Sequence, residues 1–201
     1  MSILSPTTVS GRIVWLGLVR DRSAGLMSHP EQSVRLNLEG LIGESHSGLT
    51  RRSCSRMTRQ HPLGTELRNT RQISIISAEE LEDVRQAMGL PELDPSWLGA
   101  NIVFQGVPQL TNVPPSTRFI FESGVSIVVD VENTACKYPA EVIESIHPGK
   151  GLSFGRHAAG RRGIVGWVER GGQIALGDQA ILHVPPQRIY EPALTKQRLG
   201  A

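Results

Sequence analysis

Cysteine is almost missing from this chain. Cys54 and Cys136 are its two cysteines, and they lie far apart in sequence. They make no disulfide framework, so a reduced, cytoplasmic setting is expected. Aromatic residues are also scarce, at 4% of the sequence, which leaves a core built mostly from Val, Ile and Leu. No apolar run is long enough to cross a bilayer. The start, Met1-Ser2-Ile3-Leu4-Ser5-Pro6, lacks the basic region and apolar stretch of a signal peptide. The formal net charge of +2 gives no electrostatic footprint for nucleic acid, and no membrane partner is implied. P-loop, dinucleotide fingerprint and Gly-x-Ser-x-Gly elbow are all missing. No spaced Cys/His set reads as structural zinc, and no lysine has the context of a pyridoxal-phosphate Schiff base.

What is present is punctuation: Gly 21 and Pro 13 give frequent turns and favour many short strands over long helices. Period-2 patterning predicts strands at Gly11–Arg20 and Ser33–Leu38. The β-branched run Ile73-Ser74-Ile75-Ile76 predicts another within Arg71–Ser77. A further strand lies in Trp97–Gln105, at Ile102-Val103-Phe104. Arg118–Phe121 and Val125–Val131 read as a hairpin around Ser123-Gly124. Gly163–Glu169, Gln173–Leu176 and Gln179–Val184 are three more short strands, separated by turn residues. Ser77-Ala78-Glu79-Glu80 reads as a capping box opening a helix that Gly89 stops. Pro139–Ile146 reads as a second short helix, with Pro139 in its first turn. The stretch from Gly40 to Asn69 has no convincing period and is rich in Gly, Ser, His and Arg; loops this long are functional or disordered. The expectation is a mainly β (α+β) fold, a closed or partly open β-barrel with a few short helices. No domain boundary is visible. The chain reads as a single domain over 1–201, with its core at about 11–185 and a loose tail after 190.

Cys136 is the candidate of greatest interest. It follows the apolar run Val125–Val131, at a strand end where side chains reach solvent. Asn133 precedes it and Lys137 follows it. A structural cysteine belongs inside an apolar run, whereas a thiol beside a cation is placed to work as a thiolate. The plainer alternative is an ordinary half-buried cysteine. The Asn133 amide can donate to a sulfur anion or simply hold a turn. Asn101 opens a strand just after Gly99, where a small-residue bend lets a ligand approach the backbone. His46 lies between Gly43 and Gly48 and reads either as a proton donor and ligand contact or as a loop histidine bonded to backbone. Arg51, Arg52, Arg56, Arg59, Arg68 and Arg71 crowd one segment whose only carboxylate after Glu44 is Glu66. Guanidinium forks match phosphate oxygens, and Arg51 and Arg71 are the chosen anion contacts. Arg161-Arg162 offer a second anchor, for which Arg162 is taken. The bland reading of the arginines is a solvated loop. Cys54, among them, is either a second active thiol or an incidental surface cysteine.

Several segments together resemble the MOSC family, the domain also found at the C-terminus of molybdenum-cofactor sulfurases. They are Gly40-Leu41-Ile42-Gly43-Glu44-Ser45-His46-Ser47-Gly48, Asn69 to Ile75, Trp97 to Val103, Pro114 to Arg118, Asn133-Thr134-Ala135-Cys136, and Gly163 through Asp178. Coverage runs roughly from Gly11 to Pro185. The resemblance implies a strand-rich barrel and one key cysteine, falling on Cys136, that carries sulfane sulfur or ligates molybdenum of a pterin cofactor. Two departures stand out. The family often has Gly-Asp-Arg-His where this chain has Gly43-Glu44-Ser45-His46, which bears on phosphate contacts or cofactor class. It also often has Pro where this chain has Ala135, which frees the backbone before the thiol.

Three functions remain open on these grounds. In the first, the barrel binds a molybdenum-pterin cofactor for oxidoreductase chemistry. Cys136 is then the metal ligand, with His46, Arg51, Arg71, Asn101, Asn133 and Arg162 around the cofactor. In the second, Cys136 carries a persulfide for metal-sulfur cofactor assembly. Pyridoxal phosphate then enters only through a separate cysteine desulfurase partner. In the third, the chain is a non-catalytic anion-binding module. An electron-transfer protein is the partner that the first reading requires.

Overall fold

The computed structural model describes residues 3–187, so the tail expected after 190 lies outside the described residues. Along the chain come β1 (Ser5–Leu18), β2 (His29–Pro30), β3 (Ser33–Asn37), β4 (Gly40–Leu41), β5 (Thr50–Arg52), β6 (Glu66–Arg68) and β7 (Ile73–Ser77). Then follow α1 (Ala78–Met88), β8 (Ile102–Gln105), β9 (Arg118–Phe121), β10 (Ser126–Glu132), α2 (Lys137–Ile146), α3 (Phe154–His157), β11 (Ile164–Arg170), β12 (Gly172–Ala175) and β13 (Gln179–Val184). The main sheet runs β13-β9-β10-β11-β7-β8-β1-β2, and β1 also pairs with β13. That extra pairing closes seven strands into a barrel and removes the open edges of the sheet.

β1 makes the closure possible because it is long enough to serve two partners. Its first half, Ser5–Arg12, pairs with β13 and its second half, Arg12–Leu16, with β8. Register shifts between Pro6 and Ser10 and between Ile13 and Trp15 bend it between the two, as bulges do. Every pairing in the barrel is antiparallel except β7 with β8. Parallel neighbours need a crossover, and α1 supplies it.

The β7 sequence shows why these strands are buried on both sides. Ile73 and Ile75 point into the barrel with Leu16, Ile102, Phe104, Phe119 and Ile127. Ile76 and Val103 point outward, under a second apolar layer of Val84, Met88, Trp97, Ile143 and Phe154. A strand apolar on one face only would alternate; one covered by helices on the outside reads as a continuous apolar run. Among the described residues, no helix is long and apolar enough to cross a membrane.

Three local expectations need correction. The stretch from Gly40 to Asn69 is not one loop: it contains β4 and the β5–β6 hairpin. Strands of two or three residues are too short to show a period. The capping box is half formed. Ser77 Oγ accepts from the Glu79 and Glu80 backbone N–H groups, but the Glu80 carboxylate turns instead to Thr111, accepting from its N–H at 3.0 Å and its hydroxyl at 2.6 Å. The second main helix starts at Lys137, two residues before Pro139; proline is tolerated there because the first four helical N–H groups have no intrahelical acceptor.

Thr111 in turn accepts from the Gly163 N–H at 2.8 Å, which pins the entry to β11. Gly163 has φ +81, and a Cβ there would stand 2.0 Å from the Ile75 carbonyl oxygen. Gly163→Ala is therefore expected to cost more than about 2 kcal/mol of stability, from backbone strain and the clash together. Urea unfolding of the two proteins measures this; an unchanged midpoint would mean the β7–β11 contact is looser than described.

Candidate functional site

The register of the barrel builds the site. Glu132 of β10 stands opposite Ile164 of β11, and Ile164 stands opposite Ile75 of β7. The segment leaving β10, Asn133–Cys136, and the one entering β11, Arg162-Gly163, are therefore brought side by side, with Ser74 of β7 opposite Val165 and Arg71 reaching in through its side chain from the start of β7. The Asn133 N–H donates to the Gly163 carbonyl at 2.8 Å, extending the ladder by one residue. Beyond it the chain turns, and Cys136 becomes the N-cap of α2 with φ −137 and ψ 174. Its side chain makes no capping hydrogen bond, so the sulfur is not occupied with closing the helix. Ala135 beside it packs against the outer apolar layer, which fixes the turn without proline.

Cys136 is half-buried and lines a cleft of about 640 Å³. His46, Arg51, Arg71, Asn101, Asn133 and Arg162 line the same cleft, whereas Arg59, Arg68, Arg161 and Lys137 do not. Cys54 is there as well, with Arg22, Arg52, Arg56 and Tyr138. Among the described residues, six arginines and no carboxylate form the wall.

Arg162 is the anomaly of the site. It is 5% exposed. Its Nη2 donates to the Leu98 carbonyl at 2.6 Å, while Nε and Nη1 have no acceptor among the described residues. Burial pushes its pKa down to about 10, opposed by the Cys136 sulfur and assisted by the Arg56 and Arg71 charges. Arg71 is lowered too, first by burial and then by Arg56 and Arg51, with Asp130 and Cys54 acting the other way. Its Nη2 reaches Asn133 Oδ1 at 3.4 Å, and the Asn133 amide donates to Ser74 Oγ at 3.2 Å. Arg51 donates to the Met57 sulfur, and its Nε is also buried without a partner. Cations this close, this dry and this short of carboxylates call for an anion from outside.

Arg162 is the buried cation that the fold brings into the cleft of Cys136 from beyond its sequence neighbourhood. Lys137, the sequence neighbour, points elsewhere: its Nζ lies 3.6 Å from Glu141 Oε1 and 5.3 Å from the centroid of the Tyr138 ring.

Glu44 is the residue that sequence reasoning passed over. It is 5% exposed. Its Oε2 accepts from the Val19 N–H and from Asn101 Nδ2, both at 2.7 Å. Its Oε1 accepts from the Ser45 hydroxyl at 3.0 Å, the His46 N–H at 3.0 Å and His46 Nδ1 at 2.8 Å. Burial raises its pKa, but the His46 and Val19 hydrogen bonds outweigh that and hold the carboxyl below its ordinary value. Asn101 also accepts from the Ser74 N–H at 2.9 Å and donates to the Gly17 carbonyl at 3.1 Å. Both amide hydrogens of Asn101 are therefore used within the protein, and its part is to brace β7, β1 and the Glu44 loop. His46 is oriented through Nδ1, which leaves Nε2 as the polar atom of the ring still available. The signal for Glu44 was its place in the Gly43-Glu44-Ser45-His46 loop, where the family pattern carries an acid. Tyr138, with the Arg22 guanidinium 4.4 Å over its ring, gave no signal.

The MOSC domain model matches residues 62–180. YuaD of Bacillus subtilis (strain 168), named as a candidate metal-sulfur cluster biosynthesis protein, is 40% identical over 157 residues, covering 77% of this chain and 81% of that relative. The chain belongs to the MOSC domain family. The crystal structure of YuaD superposes with a TM-score of 0.81 at 34% identity, covering 92% of this chain and 100% of that one. YiiM from Geobacillus stearothermophilus, at 13% identity and a TM-score of 0.57 over 85% of this chain and 72% of its own, shares the fold. Of the two departures from the MOSC pattern, Glu44 keeps a carboxylate in the loop while Ser45 stands where the family often has arginine, and Ala135 is held by packing.

Two predictions follow from the charges. Glu44→Gln places an amide donor against donors that a carboxylate now satisfies, and is expected to cost about 2–3 kcal/mol in thermal or urea unfolding. Because the folded pKa of Glu44 lies below its ordinary value of 4.5, its contribution is present above the unfolded pKa. It disappears as the pH falls through the folded value, and the Gln variant should lose that part of the acid sensitivity. Arg162→Gln removes a buried charge that lacks a carboxylate. Its stability should be unchanged or higher, while the rise in melting temperature given by millimolar phosphate to the native protein should largely vanish. An equal phosphate effect in both proteins would remove Arg162 from the anion site.

Proposed function

We propose that the protein holds sulfane sulfur on Cys136 and passes it to an anionic acceptor during metal-sulfur cofactor assembly. One observation carries this reading: Cys136 stands unbonded at the N-terminus of α2, in a cleft walled by arginines and free of carboxylates. Guanidinium charge and the helix end suit a persulfide anion held there. The loading step is a thiol exchange. The Cys136 thiolate attacks the outer sulfur of a desulfurase persulfide, a new S–S bond forms on Cys136, and the desulfurase cysteine leaves as its thiolate. Pyridoxal phosphate chemistry belongs to that partner. The name carried by YuaD supports the same direction.

A second reading is favoured by the buried Arg162 with its unpartnered Nε and Nη1. A molybdenum-pterin cofactor bears phosphate and needs a soft anionic ligand, and the residues fit it. Arg162, Arg71 and Arg51 would hold the phosphate, and Cys136 would be the thiolate ligand. When bound, that group supplies two-electron redox chemistry, with electrons delivered by a separate protein. The chain's own part is to bind, to orient through Asn133 and His46, and to restrict water. A bare cation suits the cleft poorly, since the surrounding charge is positive.

The test is incubation with a cysteine desulfurase and cysteine, followed by peptide mass mapping. A gain of one sulfur on the Cys136 peptide, lost in Cys136→Ser, is the expected result. An accessible thiol that takes no sulfur would sink the carrier reading. Stoichiometric molybdenum and pterin in protein isolated from a cofactor-competent host would establish the second instead.

A further inference from the structure

We propose that Cys54 is the entry thiol of a two-cysteine relay, taking sulfane sulfur from a protein-bound persulfide at the rim of the cleft and handing it to Cys136 inside. The relay deepens the reading of Cys136 as a sulfur acceptor and rests on it.

The two cysteines of the chain line the same cleft, although the sequence separates them widely. They differ in access: Cys54 is exposed and Cys136 half-buried. A bulky donor protein therefore meets Cys54 first. Arginines connect the two thiols electrostatically. Arg71 interacts with Cys54, Arg162 with Cys136, and Arg71 and Arg162 with each other. Arg162 is the second, independent sign of a ligand: a guanidinium 5% exposed, with two nitrogens lacking acceptors, beside the route an anionic sulfur would take.

Local structure prepares Cys54 for exchange. It is the N-cap of the short 3-10 turn Ser55–Met57. Its pKa is lowered, first by the Arg56 backbone N–H and, against some burial, by the Arg51 and Arg56 guanidiniums. A thiol below its ordinary range is a good leaving group in thiol exchange. The residue before it is anchored: Ser53 Oγ donates to the Pro62 carbonyl at 2.6 Å and accepts from the Thr65 N–H at 3.0 Å. The β5–β6 hairpin that carries this tip pairs with no strand of the barrel. A two-stranded unit outside the main sheet is the part of a fold that shifts most cheaply. The relay requires this hairpin to carry Cys54 toward Cys136.

Both steps balance without an added oxidant or reductant. In the first, the Cys54 thiolate attacks the outer sulfur of the donor persulfide; the Cys54–sulfur bond forms, the donor S–S bond breaks, and the donor cysteine leaves as thiolate. In the second, the Cys136 thiolate attacks the outer sulfur now on Cys54; the sulfur moves to Cys136 and Cys54 leaves as thiolate. Each step exchanges one thiolate for another, so no proton is gained or lost.

The experiment compares the native protein with Cys54→Ser, Cys54→Ala and Cys136→Ser. Each is loaded either by a cysteine desulfurase with cysteine or by inorganic polysulfide, and sulfur is located by peptide mass mapping over time. With the desulfurase, sulfur should reach Cys136 in the native protein and stall on Cys54 in Cys136→Ser. It should reach Cys136 more slowly by about tenfold or more in both Cys54 variants. Polysulfide, small enough to enter the cleft, should load Cys136 equally in native and Cys54 variants, which also shows that those variants are folded. Desulfurase loading of Cys136 at the native rate without Cys54 overturns the relay and leaves the acceptor reading intact. A Cys54–Cys136 disulfide with released hydrosulfide overturns the relay as well, because it places the attack on the inner sulfur. Polysulfide that never loads Cys136 in the native protein defeats the acceptor reading and the relay with it.

Discussion

A guanidinium taken out of water must find compensation, and Arg162 does not find it inside this protein. It has one carbonyl partner, no carboxylate, and other guanidiniums nearby. The desolvation of such a group costs several kcal/mol, less whatever its neighbours return. Its neighbours here return little apart from the interaction with Cys136. The fold tolerates this because the strands on either side are fixed independently, by the barrel ladder and by the Glu80–Thr111–Gly163 chain of hydrogen bonds. The site's character follows from that one uncompensated charge. It suits an anion better than a bare cation.

The negative charge that the site does contain is set to one side of this. Glu44 is fully engaged, with hydrogen bonds to Val19 just after β1, to Asn101 and to its own loop. It orders the wall without offsetting the arginines. Asn101 belongs to the same brace, which separates the residues around the cleft into two kinds. Glu44, Asn101 and the Asn133 ladder bond hold the geometry. Cys136, Arg162, Arg71 and Arg51 present chemistry. His46 bridges the two, tied by one ring nitrogen and open by the other.

The strands with a clear pattern were legible: β3, β7, β8, β9, β10, β11 and β13 all fall where alternation or β-branched runs place them, and α1 begins at its Ser77 cap. Residues whose partners are distant were not. Glu80 satisfied the spacing of a capping box, yet Thr111 offered its carboxylate two donors and won. The β5–β6 hairpin was hidden because three-residue strands rich in arginine show neither period nor apolarity. The place of Cys136 at a strand end was legible, but the buried cation that shares its cleft was not. Adjacency in sequence pointed to Lys137, whereas strand register delivered Arg162.

The sequence by itself determined the family pattern, the strand-rich architecture, and the inventory of thiols and arginines available to a site. These are local properties, written in alternation, turn residues and short motifs. The tertiary structure alone decided which of them meet. The β10–β11 register carries Cys136 and Arg162 to one end of the barrel, the Arg71 side chain reaches Asn133 from the start of β7, and the hairpin lays Cys54 against the same cleft. Burial, which turns an ordinary arginine into an unsatisfied charge, exists only once the chain has closed on itself.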